Sequence, residues 1–206
     1  MIESYDSLLK NFKTSEDGPG FHGDIHLINF VDTILGKCDS FIETGTNMGN
    51  TLFFVSRNYD INCYSCEVHS NTPNFVFDYK NVYFKNIGSP HFIYDLVSNK
   101  PELLNNICFF WLDAHFNGGE NIIFEEINFI VKNFKNYYIF ADDIDINNPI
   151  FTNNGYKLSD IQKILNPNDI IYIPNYTDQT SNFHKLTGWC CITNQELNNN
   201  TKIKKL

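Results

Sequence analysis

Arginine is nearly missing from this chain: Arg57 is the only one among 206 residues. Lysine and arginine together number 15 against 24 acidic residues, a formal charge of −9. Phosphate backbones are held by clusters of basic side chains, so nucleic acid is a poor partner for a chain with this balance. Lys202, Lys204 and Lys205 form a small basic group near the C-terminus, where a solvated, frayed tail is expected. Long apolar runs are also lacking, and no stretch approaches the ~18 residues that a membrane-spanning helix needs. Met1 to Lys13 carries Glu3 and Asp6 without an apolar run, unlike a secretory signal. The expected setting is therefore a reducing cytoplasm, with no membrane partner. Cys63 and Cys66 form a CxxC, but no second pair lies at zinc-ribbon spacing, and a separation of three turns them to opposite faces of a strand. All six cysteines are expected to be small buried hydrophobes. The chain has no GxGxxG, no phosphate-binding P-loop and no GxSxG nucleophile turn.

What the chain has is apolar bulk, with 42% hydrophobic and 16% aromatic residues. That is enough for one rigid core without disulfides or a structural metal. Residues 1–36 read as an N-terminal helical cap, with an amphipathic helix from Ser4 to Phe12, a break at Gly18-Pro19-Gly20 and a helix from His26 to Leu35. Residues 37–194 read as a Rossmann-like core and 195–206 as a polar tail. Within the core, strands at Ser40 to Thr44, Ile61 to Val68, Val82 to Asn86, Ile107 to Leu112 and Tyr137 to Ala141 alternate with helices. Those helices are Asn50 to Asn58, a weak one at Thr72 to Phe77, Pro90 to Val97, and Ile123 to Phe134. This alternation indicates βαβ crossovers and a mostly parallel α/β sheet. A helix at Lys157 to Leu165 follows. Then come Ile170 to Ile173 and Trp189 to Thr193, two strands with no helix between them, which implies an antiparallel pair.

Ligands of open α/β sheets bind beyond the carboxyl ends of the strands. The first strand runs into Glu43-Thr44-Gly45-Thr46-Asn47-Met48-Gly49-Asn50-Thr51, where Gly45 and Gly49 allow a tight turn and a close backbone approach. Asn50 or Thr51 begins the next helix and presents unpaired N–H groups. Eighteen residues beyond Gly49, the second strand ends at Glu67, followed by Val68, where a carboxylate can accept both hydroxyls of a ribose. The third strand leads to Gly88-Ser89, a small turn suited to an adenine edge. Each feature alone also has a purely structural reading, a turn or a solvated carboxylate.

Together, Glu43-Thr44-Gly45…Gly49, Glu67, Gly88-Ser89 and the acidic ends of strands four and five resemble the class I S-adenosylmethionine-dependent methyltransferases, over roughly residues 38–193. The resemblance implies a seven-stranded sheet with the seventh strand antiparallel, and S-adenosylmethionine held by the loops after the first three strands and by Asp113. Many members have glycine where this chain has Asn47. The fourth strand ends in Leu112-Asp113-Ala114-His115 and the fifth in Ala141-Asp142-Asp143-Ile144. Asp113 with Asp142 and Asp143 is similar to the metal-binding set of metal-dependent O-methyltransferases acting on catechols and sugars. There, Mg²⁺ or another divalent cation binds the substrate hydroxyls. Clustered carboxylates are costly without a cation or a donor to join them. His115 is the candidate base, because an imidazole titrates near working pH. His22, His26, His69, His91 and His184 show no ligand spacing and receive no role.

These features lead to an expected transfer of a methyl group to a hydroxyl of a sugar, glycan or other small molecule. The alternatives are a metal-independent methyltransferase on another small molecule or a protein side chain, and a non-catalytic nucleotide-binding module. A dehydrogenase is disfavoured by the missing GxGxxG. The Asn-Pro-Pro-Tyr-like motif of amino-directed DNA methyltransferases does not follow the fourth strand.

Overall fold

A computed structural model describes residues 20–69, 80–114, 122–152, 154–178, 187–198 and 200–206. Its centre is a run of strands, the middle ones buried on both faces, as strands covered by helices on each side must be. They are β1 (Ser40–Thr44), β2 (Asn62–Cys66), β3 (Val82–Lys85), β4 (Ile107–Leu112) and β5 (Asn136–Asp145). All five residues of β1 and five of six in β4 are buried. Between and around them lie α1 (Ile25–Leu35), α2 (Asn50–Asn58), α3 (His91–Asn99) and α4 (Ile122–Asn133). Towards the C-terminus come β6 (Tyr156–Lys157), α5 (Leu158–Gln162), β7 (Ile170–Pro174), β8 (Gly188–Thr193) and β9 (Ile203–Lys205).

The strand order is β3-β2-β1-β4-β5-β8-β7-β9, with β6 paired to the far end of β5. β1 to β5 run parallel, and β8 lies antiparallel to both β5 and β7. The order reverses between β1 and β4, which opens a crevice at their carboxyl ends. The expected antiparallel pair is β7 and β8. The sheet has nine strands rather than seven, because β6 and β9 are added.

Several boundaries move for identifiable reasons. β5 continues past Ala141 to Asp145, and a register shift against β8 between Ala141 and Ile144 marks a bulge at the two aspartates. The expected helix from Lys157 to Leu165 shrinks to α5: Tyr156 and Lys157 pair with β5, and Asn166-Pro167 disfavours further helical turns. The C-terminal residues expected to be a frayed tail instead form β9, with Ile203 buried against β7. The weak helix at Thr72 to Phe77 and the helix at Ser4 to Phe12 lie outside the described residues. So does His184.

α1 starts where Asp24, itself fully buried, accepts hydrogen bonds from the backbone N–H of His26 and Leu27 at 3.0 and 3.2 Å. An aspartate at this position satisfies N–H groups that the helix leaves unpaired. Its apolar face, with Phe30 and Ile34, packs into the same core as Phe140 and Trp189. The six cysteines are buried and unbridged. Among the described residues no helix is long and apolar enough to cross a membrane.

Candidate functional site

The loop after β1 is fixed from below by β2. The N–H groups of Gly45 and Thr46 both donate to the Cys66 carbonyl at 3.0 Å, and Thr46 Oγ1 lies 2.6 Å from Ser65 Oγ. Gly45 has φ +85°, and a Cβ there would stand 2.3 Å from the Asp113 carbonyl oxygen. The first loop and the end of β4 can therefore touch only through glycine. Asn47 takes φ +46°, a left-handed conformation that asparagine tolerates better than most residues. Gly49, at φ +76°, caps α2, so Asn50 and Thr51 form its first turn.

Glu67 closes the loop from the second strand. Its carboxylate accepts from the backbone N–H of Asn47 at 2.8 Å and of His69 at 2.9 Å. Val68 is exposed beside it. After β3, Ser89 donates to Glu126, a fully buried carboxylate on α4, while Gly88 has open space around it. Glu43 and Thr44 are buried at the end of β1. Burial pushes the Glu43 carboxyl up to about 8, against the opposing effect of a hydrogen bond from Ser65, with Asp113 and Glu67 adding repulsion.

At the far side of the crevice, Asp113, directly after β4, and Asp142 on β5 converge on His22. The His22 Nε2 atom lies 3.1 Å from Asp113 Oδ2 and 3.0 Å from Asp142 Oδ2. One ligand atom from each of the three residues falls within a 4.8 Å span. Burial disfavours charge on the imidazole, but the adjacent carboxylates of Asp142 and Asp113 outweigh it and hold the His22 pKa well above its ordinary value. Asp143, the neighbour of Asp142, takes φ +57° and accepts a hydrogen bond from Thr187 Oγ1 at 2.6 Å. It is thus aimed at β8 rather than at His22. His115 lies outside the described residues.

His22 arrives on a strap, Gly20 to Asp24, laid across the ends of β1 and β4. Four consecutive residues have positive φ: Gly20 at +85°, Phe21 at +45°, His22 at +53° and Gly23 at +69°. Such a run is costly for Phe21 and His22 and persists only when packing overdetermines it. Here, the Phe21 ring is fully buried and meets Trp111 edge-on at 5.0 Å, with Phe54 and Phe109 further out. Its N–H donates to Thr51 Oγ1 at 3.0 Å. Gly20 and His22 of the strap, with Glu43, Gly45 to Met48 and Asp113, line a small, partly open cleft of about 30 Å³. Sequence reasoning missed His22. Its one local signal is the pair of glycines flanking Phe21-His22, which marks a turn and says nothing of what the turn reaches.

No protein-family model matches the chain, and no curated protein matches it in sequence. Solved structures do match. One is an O-methyltransferase, assigned by inference, from Klebsiella pneumoniae, with TM-score 0.54 and 12% identity over 91% of this chain and 88% of that one. Another is the precorrin-6y C5,15-methyltransferase of Geobacter metallireducens, with TM-score 0.51 and 12% identity over 93% of this chain and 97% of that one. The fold is that of the class I methyltransferases. In class I terms, β8 is the antiparallel strand inserted beside β5.

Proposed function

We propose that this chain transfers the methyl group of S-adenosylmethionine to a hydroxyl oxygen of a sugar or other small molecule. The observation that carries the reading is the convergence of two sets of groups on one sheet edge. The glycine loop and Glu67 lie on one side of the β1–β4 crevice, and Asp113 and Asp142 lie on the other.

The residues present fit the donor. A carboxylate offers about four lone-pair sites, and Glu67 uses one on each oxygen for backbone N–H groups, leaving acceptors for ribose hydroxyls. Glu43 is a buried acid whose pKa is raised chiefly by loss of solvent, and a sulfonium or ammonium group beside it would favour its charged form. Thr44, Gly45, Thr46, Asn47, Gly49, Asn50 and Thr51 form the donor cradle, with Val68, Gly88 and Ser89 towards the adenine and Asp113 between donor and acceptor.

When bound, the donor supplies a methyl group already activated by its sulfonium sulfur. The protein's task is to align an acceptor oxygen with that carbon and to exclude water. Asp113 and Asp142 orient the acceptor hydroxyl. The donor set His22, Asp113 and Asp142 also fits a divalent cation, which would lower the pKa of that hydroxyl. His115, two residues beyond Asp113, is the proposed acceptor of the hydroxyl proton.

Calorimetry and thermal shift test the donor. S-adenosylmethionine and S-adenosylhomocysteine should bind and raise the melting temperature, NAD should do neither, and Glu67→Ala should weaken binding by about 1–3 kcal/mol. Binding of NAD with no response to either methyl-cycle ligand overturns the reading. Methyl transfer from labelled donor to a panel of sugars and phenols, with EDTA and then with cations restored, tests the acceptor. Full activity in EDTA removes the cation from the reading and leaves Asp113 and His115 as direct acceptor contacts.

A further inference from the structure

We infer that the third protein ligand of the cation site is His22, delivered by the Gly20–Asp24 strap, and not Asp143. The site is therefore built for a divalent transition ion such as Mn²⁺ or Co²⁺ in preference to Mg²⁺ or Ca²⁺. This rests on the proposed reading of the crevice as a methyl-transfer site and assigns the ion within it.

Geometry separates the two candidates for the third position. The bulge in β5 turns Asp142 and Asp143 in different directions. Asp142, 4% exposed, points into the crevice, while Asp143 is engaged by Thr187 on the β8 side. His22 Nε2 stands 3.0 and 3.1 Å from one oxygen of each remaining carboxylate. Ligand atoms bonded at about 2.1 Å to one ion and at right angles to each other are separated by about 3.0 Å, so an ion could replace the shared proton with little movement of the side chains.

The strap is also built to hold the imidazole in place. Phe21 is locked in its aromatic cage on one side of His22. On the other, Asp24 is buried, caps α1 and accepts from the Tyr176 hydroxyl. The His22 ring itself lies 5.9 Å from the Trp111 ring. Donor chemistry then selects the ion. Two carboxylates alone suit Mg²⁺ and Ca²⁺, whereas an imidazole added to them favours first-row transition ions, for which nitrogen is a strong ligand.

The test is metal titration of the whole chain and three variants, His22→Gln, Asp142→Asn and Asp143→Asn, each first checked for an unchanged melting temperature and circular dichroism spectrum. Mn²⁺ and Co²⁺ should bind the wild type at least tenfold more tightly than Mg²⁺. Pulsed paramagnetic resonance of bound Mn²⁺ should show coupling to an imidazole nitrogen. His22→Gln should abolish that coupling and weaken Mn²⁺ at least tenfold. Asp142→Asn should weaken every ion, and Asp143→Asn should change affinity by less than twofold. Loss of affinity in Asp143→Asn with none in His22→Gln overturns the assignment, as does an equal or stronger preference for Mg²⁺. Absence of any ion binding overturns it too. Because donor binding is measured separately, by calorimetry with S-adenosylhomocysteine in EDTA, the methyl-transfer reading can stand or fall independently of this result.

Discussion

Glu43 is a residue whose chemistry follows from where the chain places it. A glutamate at the end of a central parallel strand is out of water, and burial raises its pKa from 4.5 to about 8. The folded protein thus holds a proton that the unfolded chain releases between those values. Linkage then requires that this contribution to stability be fully present below the unfolded pKa and lost as pH rises through the folded one. Glu43→Gln removes that proton exchange while keeping an acceptor for Ser65 Oγ. Measured against the wild type, the variant should gain melting temperature on going from about pH 5 to about pH 8.5. A difference that does not move with pH would show that Glu43 ionises freely. The position of Glu43, like those of Asp113 and Asp142, is legible in the sequence because strand ends on a parallel sheet share one edge, whatever the loops do. His22 is not legible in this way. It precedes Asp113 by 91 residues, and only the docking of Phe21 against Trp111 brings the two together. The sequence-based strand stops at Ala141, so it also misses that β5 carries both aspartates and sends them to different sides, with a left-handed φ at Asp143 in the bulge against β8.

At the scale of elements, β1, α2 and β4 match their sequence-based bounds, because uninterrupted apolar runs and a glycine-led helix start leave little choice. The short additions at the edges do not announce themselves. β6 has two residues and β9 three, and both exist because a longer strand offers them an open ladder. The loops after β1 and β3 look alike in sequence, each a glycine beside a hydroxyl residue, yet the structure gives them different burdens. At Gly45 an added Cβ meets the Asp113 backbone at 2.3 Å from a residue already at φ +85°, so the strand ends must separate to admit it. At Gly88 an added Cβ meets no atom within 4 Å. Gly45→Ala should therefore cost at least about 2 kcal/mol, and Gly88→Ala should stay within about 0.5 kcal/mol. Urea denaturation of the two variants side by side measures this. Equal midpoints would mean that the first loop is not the tight joint between β1 and β4 described above.

For the molecule as a whole, charge decides which partners can approach. The formal charge is −9, and Glu67, Asp113 and Asp142 place part of it at the crevice. A polyanion gains affinity by exchanging condensed counterions for basic side chains, and each phosphate neutralised contributes to a steep dependence on salt. Two of the three lysines that could begin such a patch, Lys202 and Lys205, are already paired with Asp178 and Glu196, at 2.9 Å in each case. The proposed cationic donor is attracted, and a neutral hydroxyl acceptor tolerated, by the same field that repels RNA. In a gel-shift titration at physiological salt, single-stranded and duplex RNA and DNA should leave the chain unshifted up to concentrations of about 10⁻⁵ M, within the range where non-specific binders already associate. The same titration at low salt should remain flat, because 15 basic residues against 24 acidic ones leave few side chains to displace counterions from the nucleic acid. A salt-sensitive shift at either condition would require a basic surface that the charge balance does not supply, and would move the acceptor from small molecules to nucleic acid.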